Sequence, residues 1–239
     1  MPVRGRTPAR EFLRSDHLGS GGEYLRDLIL GGQDGLVNTL GLVLGVAVAT
    51  NDSRLVMIAG LAALFAEGIS MGAVAYTSMK ASDEYYNRVK AREWHHITHH
   101  PRDERGILKK LYSRKGFVGG NLDLAMQIIM SNKKRWLNVV MEEELKLYPS
   151  KQSPLNSAMV VGIAAHIGAV FPIVPFFFLP VNEAIAIALP FSILVLFVSG
   201  AVKGRFTKVV WWRSGLELAV IGTGAALVGY LIGSFFGTH

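Results

Sequence analysis

The chain has 239 residues, of which 50% are hydrophobic and 18% charged, with a formal net charge of +7 and no cysteine. That balance is too apolar and too unevenly charged for an ordinary soluble domain. A chain without cysteine has neither disulfides nor thiolate metal sites.

In chain order, residues 1–23 are polar and basic and carry no apolar segment of the secretory type; they are expected to form a basic tail, placed on the cytoplasmic side by the charge distribution described below. Residues 24–79 hold two predicted spans. Tyr24–Gln33 extends Asp34–Thr50 to the roughly 20 residues that cross a hydrocarbon core, although Arg26, Asp27 and Asp34 interrupt it. Leu55–Met79 is the second, joined to the first by Thr50-Asn51-Asp52-Ser53. Residues 80–153 form a polar insert with helical patterning over Ser82–Thr98, Asp103–Ser113, Leu122–Met130 and Lys134–Leu147. Pro101 sits where proline favours a helix start, and Gly116, Gly119 and Gly120 mark a turn. Residues 154–239 carry three more spans, Ser157–Leu179, Ala184–Val202 and Ser214–Phe236, the first of them kinked or broken near Pro172 and Pro175. The expected fold is all-α: five transmembrane helices, with a cytoplasmic helical insert between spans 2 and 3.

Charge gives this arrangement an orientation. With five spans, 24 of the 25 Lys and Arg residues fall on one side, and only Arg54 falls opposite. By the positive-inside rule the N-terminus and the insert are cytoplasmic. The expected partner of the positive charge is the anionic surface of the lipid bilayer, and no nucleic acid is expected.

Glu67 stands deep in the second apolar stretch, and Met71 follows one turn later on the same helix face. A carboxylate at that depth is costly and faces a bundle interior or a water-filled path; the alternative is a protonated carboxyl bonded to a neighbouring helix. Asp34 lies near the start of the first apolar run, where the alternative is an acid at the headgroup boundary. Carboxylate and thioether together suit a divalent transition metal better than Ca²⁺ or Mg²⁺. His166 is expected to make an interhelix hydrogen bond, and Glu217 to pair with Arg213. Glycines repeat at spacing four in three spans, Gly41/Gly45, Gly68/Gly72 and Gly229/Gly233. They predict close helix packing within the chain and leave a homodimer open.

In the insert, Glu93-Trp94-His95-His96-Ile97-Thr98-His99-His100 places Glu93 and His96 on one helix face and His95 and His99 on another. Imidazole and carboxylate suit Fe²⁺, Mn²⁺, Co²⁺, Ni²⁺ and Zn²⁺ alike; a solvated surface tract is the alternative. Met141-Glu142-Glu143-Glu144 adds a thioether and carboxylates, on a solvated face unless Glu144 is brought opposite Glu93.

The chain resembles the vacuolar iron transporter family over nearly its whole length after the tail. The resemblance rests on GGQDGLVNTLGLVLGVA around Asp34, GISMG at Gly68–Gly72, Trp136 followed by Met141, Glu144 and Leu145, and the third span from Pro154 through FPIVPFF. It implies a homodimeric secondary transporter, not an enzyme. Its cargo would be Fe²⁺, with Mn²⁺ as companion, moved out of the cytosol into a vacuole or out of the cell against protons as counter-ion. No organic cofactor is implied, and Co²⁺, Ni²⁺ and Zn²⁺ are further candidate ions. The membrane would be vacuolar in a eukaryote and the cell (inner) membrane in a prokaryote.

Site residues carry over unevenly. The resemblance places a transport path at Asp34 and Met71; the usual second-span acid falls at Ala63, and this chain offers Glu67 instead. It places metal ligands of the insert at Glu93, Glu104, Met141 and Glu144, with His96 and Ile107 where glutamates are usual and Val140 where a second methionine is usual. His95, His99 and His100 are possible additional ligands. A site with fewer carboxylates and an added imidazole should be less negative and more pH-sensitive. The rival expectation is a membrane-anchored iron-binding or iron-oxidising protein without transport. Paired Glu-x-x-His motifs would mark it, and Glu93-x-x-His96 stands alone. A membrane scaffold would explain the glycines but not Glu67.

Overall fold

The computed structural model describes residues 18–237; most of the basic tail lies outside them. Among the described residues every regular element is helical. The order is α1 Leu18–Thr50, α2 Ser53–His99, α3 Pro101–Arg114, α4 Gly119–Met130, α5 Lys133–Val139, a π-helical turn Val140–Glu144, α6 Pro154–Ile173, a 3₁₀ turn Val174–Phe177, α7 Val181–Phe206 and α8 Trp211–Phe236. Five of these helices, α1, α2, α6, α7 and α8, are long and apolar enough to cross a membrane.

The predicted boundaries sit close to these, and local chemistry explains the ends. Asn51 takes a positive φ of 49° in the α1–α2 turn, a conformation asparagine tolerates, and Asp52 Oδ1 accepts from the Arg54 amide at 2.7 Å to cap α2. Ser153 caps α6, accepting from Asn156 N at 3.2 Å, with Pro154 in the first turn. The expected break near Pro172 occurs: α6 ends at Ile173 and tightens into the 3₁₀ turn. Pro190 lies inside α7.

The chain forms two compact units, Ser78–Lys151 and the residues on either side of it. In the apolar unit, α1 is the central element, packed on α6 and α8 and more lightly on α7. Contact is made through small residues. A Cβ at Gly35 would overlap the Ala165 carbonyl oxygen of α6, and one at Gly229 of α8 would overlap the Gly41 carbonyl oxygen of α1. All three spaced glycine pairs are used this way inside the chain: Gly41 and Gly45 against Gly229 and Gly233, and Gly68 and Gly72 against residues of α6. A core of Val43, Ala47, Val56, Leu64, Ala169, Ile173 and Phe176 fills one end.

The unit Ser78–Lys151 has its own core, built from Val89 and Ile97 of α2, Leu108 of α3, Leu122, Met126 and Ile129 of α4, Trp136 and Leu137 of α5, and Val140 and Met141. Gly116 and Gly119, with φ of 92° and 55°, turn the chain between α3 and α4. Asn132 caps α5 through two amides, Lys134 N at 2.9 Å and Arg135 N at 3.2 Å.

Candidate metal sites

Two polar constellations stand out, one in each unit. In the apolar unit, the Asn38 side-chain amide of α1 donates to Glu67 Oε1 of α2 at 2.6 Å. Asp34, one turn before Asn38, interacts with the same carboxyl. Asp34 and Glu67 are thus brought together across two helices, from positions 33 residues apart in sequence. Met71 is half-buried one turn along α2 from Glu67, and Ala63 lies one turn before it. Sequence reasoning missed Asn38, although its place one turn beyond Asp34 in an apolar run was a usable signal. Asp27, seen only as an interruption, is buried, accepts from Ser157 Oγ of α6 at 2.6 Å and pairs with Arg26 at 3.0 Å.

Two pairings differ from expectation. His166 bonds within its own helix, its Nδ1 2.7 Å from the Gly162 carbonyl oxygen, and its ring occupies the space Gly68 leaves open. An i–4 carbonyl is the nearest acceptor for a ring nitrogen on a helix, and it outcompeted any neighbour. Glu217 reaches Lys203 of α7 at 3.8 Å, while Arg213 lies over the Trp212 ring at 5.3 Å.

In the other unit, Glu93, His96 and Glu104 each offer a ligand atom within 4.8 Å of the others. His96 Nδ1 is 3.4 Å from Glu104 Oε1, and Arg92 Nε reaches Glu93 Oε1 at 2.9 Å. Both glutamates are buried, although each belongs to a polar stretch of sequence. Glu144 joins them electrostatically. Burial, followed by the Glu104 and Glu93 carboxylates, pushes its carboxyl above the ordinary range. Glu104 is raised too, by burial and by Glu93, with His96 opposing. Clustered acids that resist ionising together are an arrangement a divalent cation would relieve.

The π-helical turn gives Glu144 its place. Leu145 N bonds to Val140 O at 3.0 Å, a register one residue longer than that of an α-helix. Glu143, on the same turn, accepts from Tyr112 Oη at 3.2 Å and pairs with Lys115, tying the turn to α3 and the residue that follows it. Met141 is buried in the apolar core of this unit. Ile107 is exposed, Val140 buried, and His95, His99 and His100 exposed outside the carboxylate cluster.

The raised carboxyls fix a sign. An acid whose folded value lies above its ordinary one, near 4.5, stabilises the fold below that value and loses the contribution as pH rises through the folded one. Metal-free protein should therefore lose amide protection over residues 133–147, measured relative to the intrinsic exchange rate at each pH, as pH rises through the folded values of these carboxyls. Added Fe²⁺ should restore protection at neutral pH, and that effect should weaken as pH falls and protons compete with the metal for the carboxyls. Equal metal protection at neutral and acid pH would show that Glu104 and Glu144 do not ligate.

Comparison with known proteins follows the same outline. Residues 25–234 match the model of the VIT family. The chain is 31% identical over 229 residues to vacuolar iron transporter 1 of Tulipa gesneriana, covering 94% of this chain and 93% of that one. It is 33% identical over 211 residues to vacuolar iron transporter 2 of Oryza sativa subsp. japonica, covering 87% and 86%. The vacuolar iron transporter of Toxoplasma gondii is 28% identical over 232 residues, covering 92% and 77%.

Proposed function

The chain belongs to the VIT family, and from that premise we propose that it carries Fe²⁺ out of the cytosol, into a vacuole or out of the cell, in exchange for protons. It is a multi-pass membrane protein, and its relatives are named vacuolar iron transporters. The observation that carries the reading is the bond between Asn38 and Glu67 beside Asp34, set in helices of membrane-crossing length. Two carboxyls sharing one site hold either protons or a divalent ion, so loading one displaces the other. Met71 adds a thioether, a softer donor that suits Fe²⁺ better than Ca²⁺ or Mg²⁺; Mn²⁺, which the carboxylates suit, is the companion cargo. The cluster Glu93, His96, Glu104 and Glu144 collects metal before it enters the membrane, on the cytoplasmic side that the basic residues define.

A homodimer belongs to this proposal. The spaced glycine pairs lend it no support, since each is occupied within the chain. Support comes from Asn38, which is exposed on the bundle surface while bonded to Glu67. A polar pair facing lipid at that depth is costly, and a second copy of the bundle would cover it.

Uptake of Fe²⁺ into proteoliposomes is the test. Uptake should be driven by an imposed pH gradient, and it should collapse when an ionophore dissipates that gradient. Fe²⁺ bound stoichiometrically but never accumulated would sink the proposal and leave a metal-binding membrane protein.

A further inference from the structure

The histidine tract at the end of α2 is only partly used by the carboxylate cluster. His96 turns to Glu104. His95 and His99 stand one turn apart, exposed, with rings stacked at 4.2 Å between centroids and 27° between planes. Two histidines at spacing four on one helix face are a bidentate arrangement for a divalent metal, and side-chain rotation alone converges their nitrogens.

One hydrogen bond prepares the pair. His99 Nδ1 lies 3.0 Å from the His95 carbonyl oxygen. A carbonyl only accepts, so Nδ1 carries the hydrogen and the neutral ring presents its lone pair on Nε2. Metal-bound imidazoles are commonly oriented by such a bond to backbone. His100, immediately beyond the helix, has its ring 6.4 Å from that of His95 and can supply a third nitrogen. The C-terminal carbonyls of α2 add partial negative charge near these rings, which favours a cation.

We infer that His95 and His99, with His100, form a second metal site made of imidazole alone. It is distinct from the neighbouring cluster of Glu93, His96 and Glu104. Its donors select late first-row divalent ions, Ni²⁺, Cu²⁺ and Zn²⁺, ahead of Fe²⁺ and Mn²⁺. Ions that imidazole holds best are thereby kept off the carboxylates. The inference does not rest on transport, and its test reads binding alone.

Calorimetric titration of the tag-free, full-length protein in detergent with Ni²⁺ decides it. The H95A/H99A variant should bind one Ni²⁺ fewer per chain than the wild type; both residues are exposed, so folding is spared. An E93Q/E104Q variant should keep the binding event that H95A/H99A loses. The same Ni²⁺ stoichiometry and affinity in H95A/H99A as in the wild type would overturn the site. Loss of all Ni²⁺ binding in E93Q/E104Q would also overturn it, by showing a single shared site.

Discussion

Glu67→Gln is expected to reduce Fe²⁺ transport to near background while leaving the protein folded. The amide keeps the shape of the side chain, and its oxygen still accepts from Asn38, whose bond to Glu67 spans 2.6 Å in the native protein. What disappears is the negative charge. A divalent ion at that depth would then face Asp34 alone, and an uncompensated charge in a low-dielectric setting costs several kcal/mol. Each 1.4 kcal/mol is about a tenfold change in rate, so the loss should exceed about a hundredfold. Proteoliposome flux and thermal unfolding, measured on the same preparation, separate loss of function from loss of fold. Native flux in a folded Glu67→Gln protein would remove Glu67 from the path and leave Asp34 as its acid.

The second large effect is structural. Gly35→Ala should destabilise the protein, and the same change at Gly224 should not. Alanine normally improves a helix interior over glycine by about 1 kcal/mol. At Gly224 nothing lies within 4 Å of the added Cβ, so that gain should stand. At Gly35 the Cβ would overlap the backbone of Ala165, and backbone cannot rotate aside as a side chain can. Helix α1 must then move away from α6, losing close contact along a principal packing face of the bundle. Overpacking of this kind costs typically 1–3 kcal/mol or more. A lower midpoint for Gly35→Ala and an unchanged or higher one for Gly224→Ala, in detergent, is the expected pair. Equal midpoints would mean that the α1–α6 contact is looser than the structure shows.

The spans, the turns and the break after Ile173, between Pro172 and Pro175, were legible in the sequence because each depends on local chemistry: apolar length, a capping side chain, a missing amide. Glu67 announced itself for the same reason, as one acid in a long apolar run. Its partnership with Asn38 did not, because pairing between α1 and α2 is set by how the helices rotate against each other. The burial of Glu93 and Glu104 was hidden as well. Both belong to polar stretches, and they are covered only once α2, α3 and the π turn pack around a shared core. His166 shows the opposite error, since a tertiary bond was expected where an acceptor four residues back was available.

The π turn at Val140–Glu144 bears on how this chain is lined up with its relatives. Such a turn carries one more residue than an α-helical turn between the same flanking backbone. A lineage can gain or lose a residue there, trading π for α, while the helix on either side keeps its phase. Within those five positions, counting residues along two sequences and superposing them in space give different correspondences. Which residue of a relative corresponds to Val140 and which to Met141 is then decided by the type of turn. An insertion or deletion placed elsewhere in this stretch would set one chain's glutamate against another's methionine.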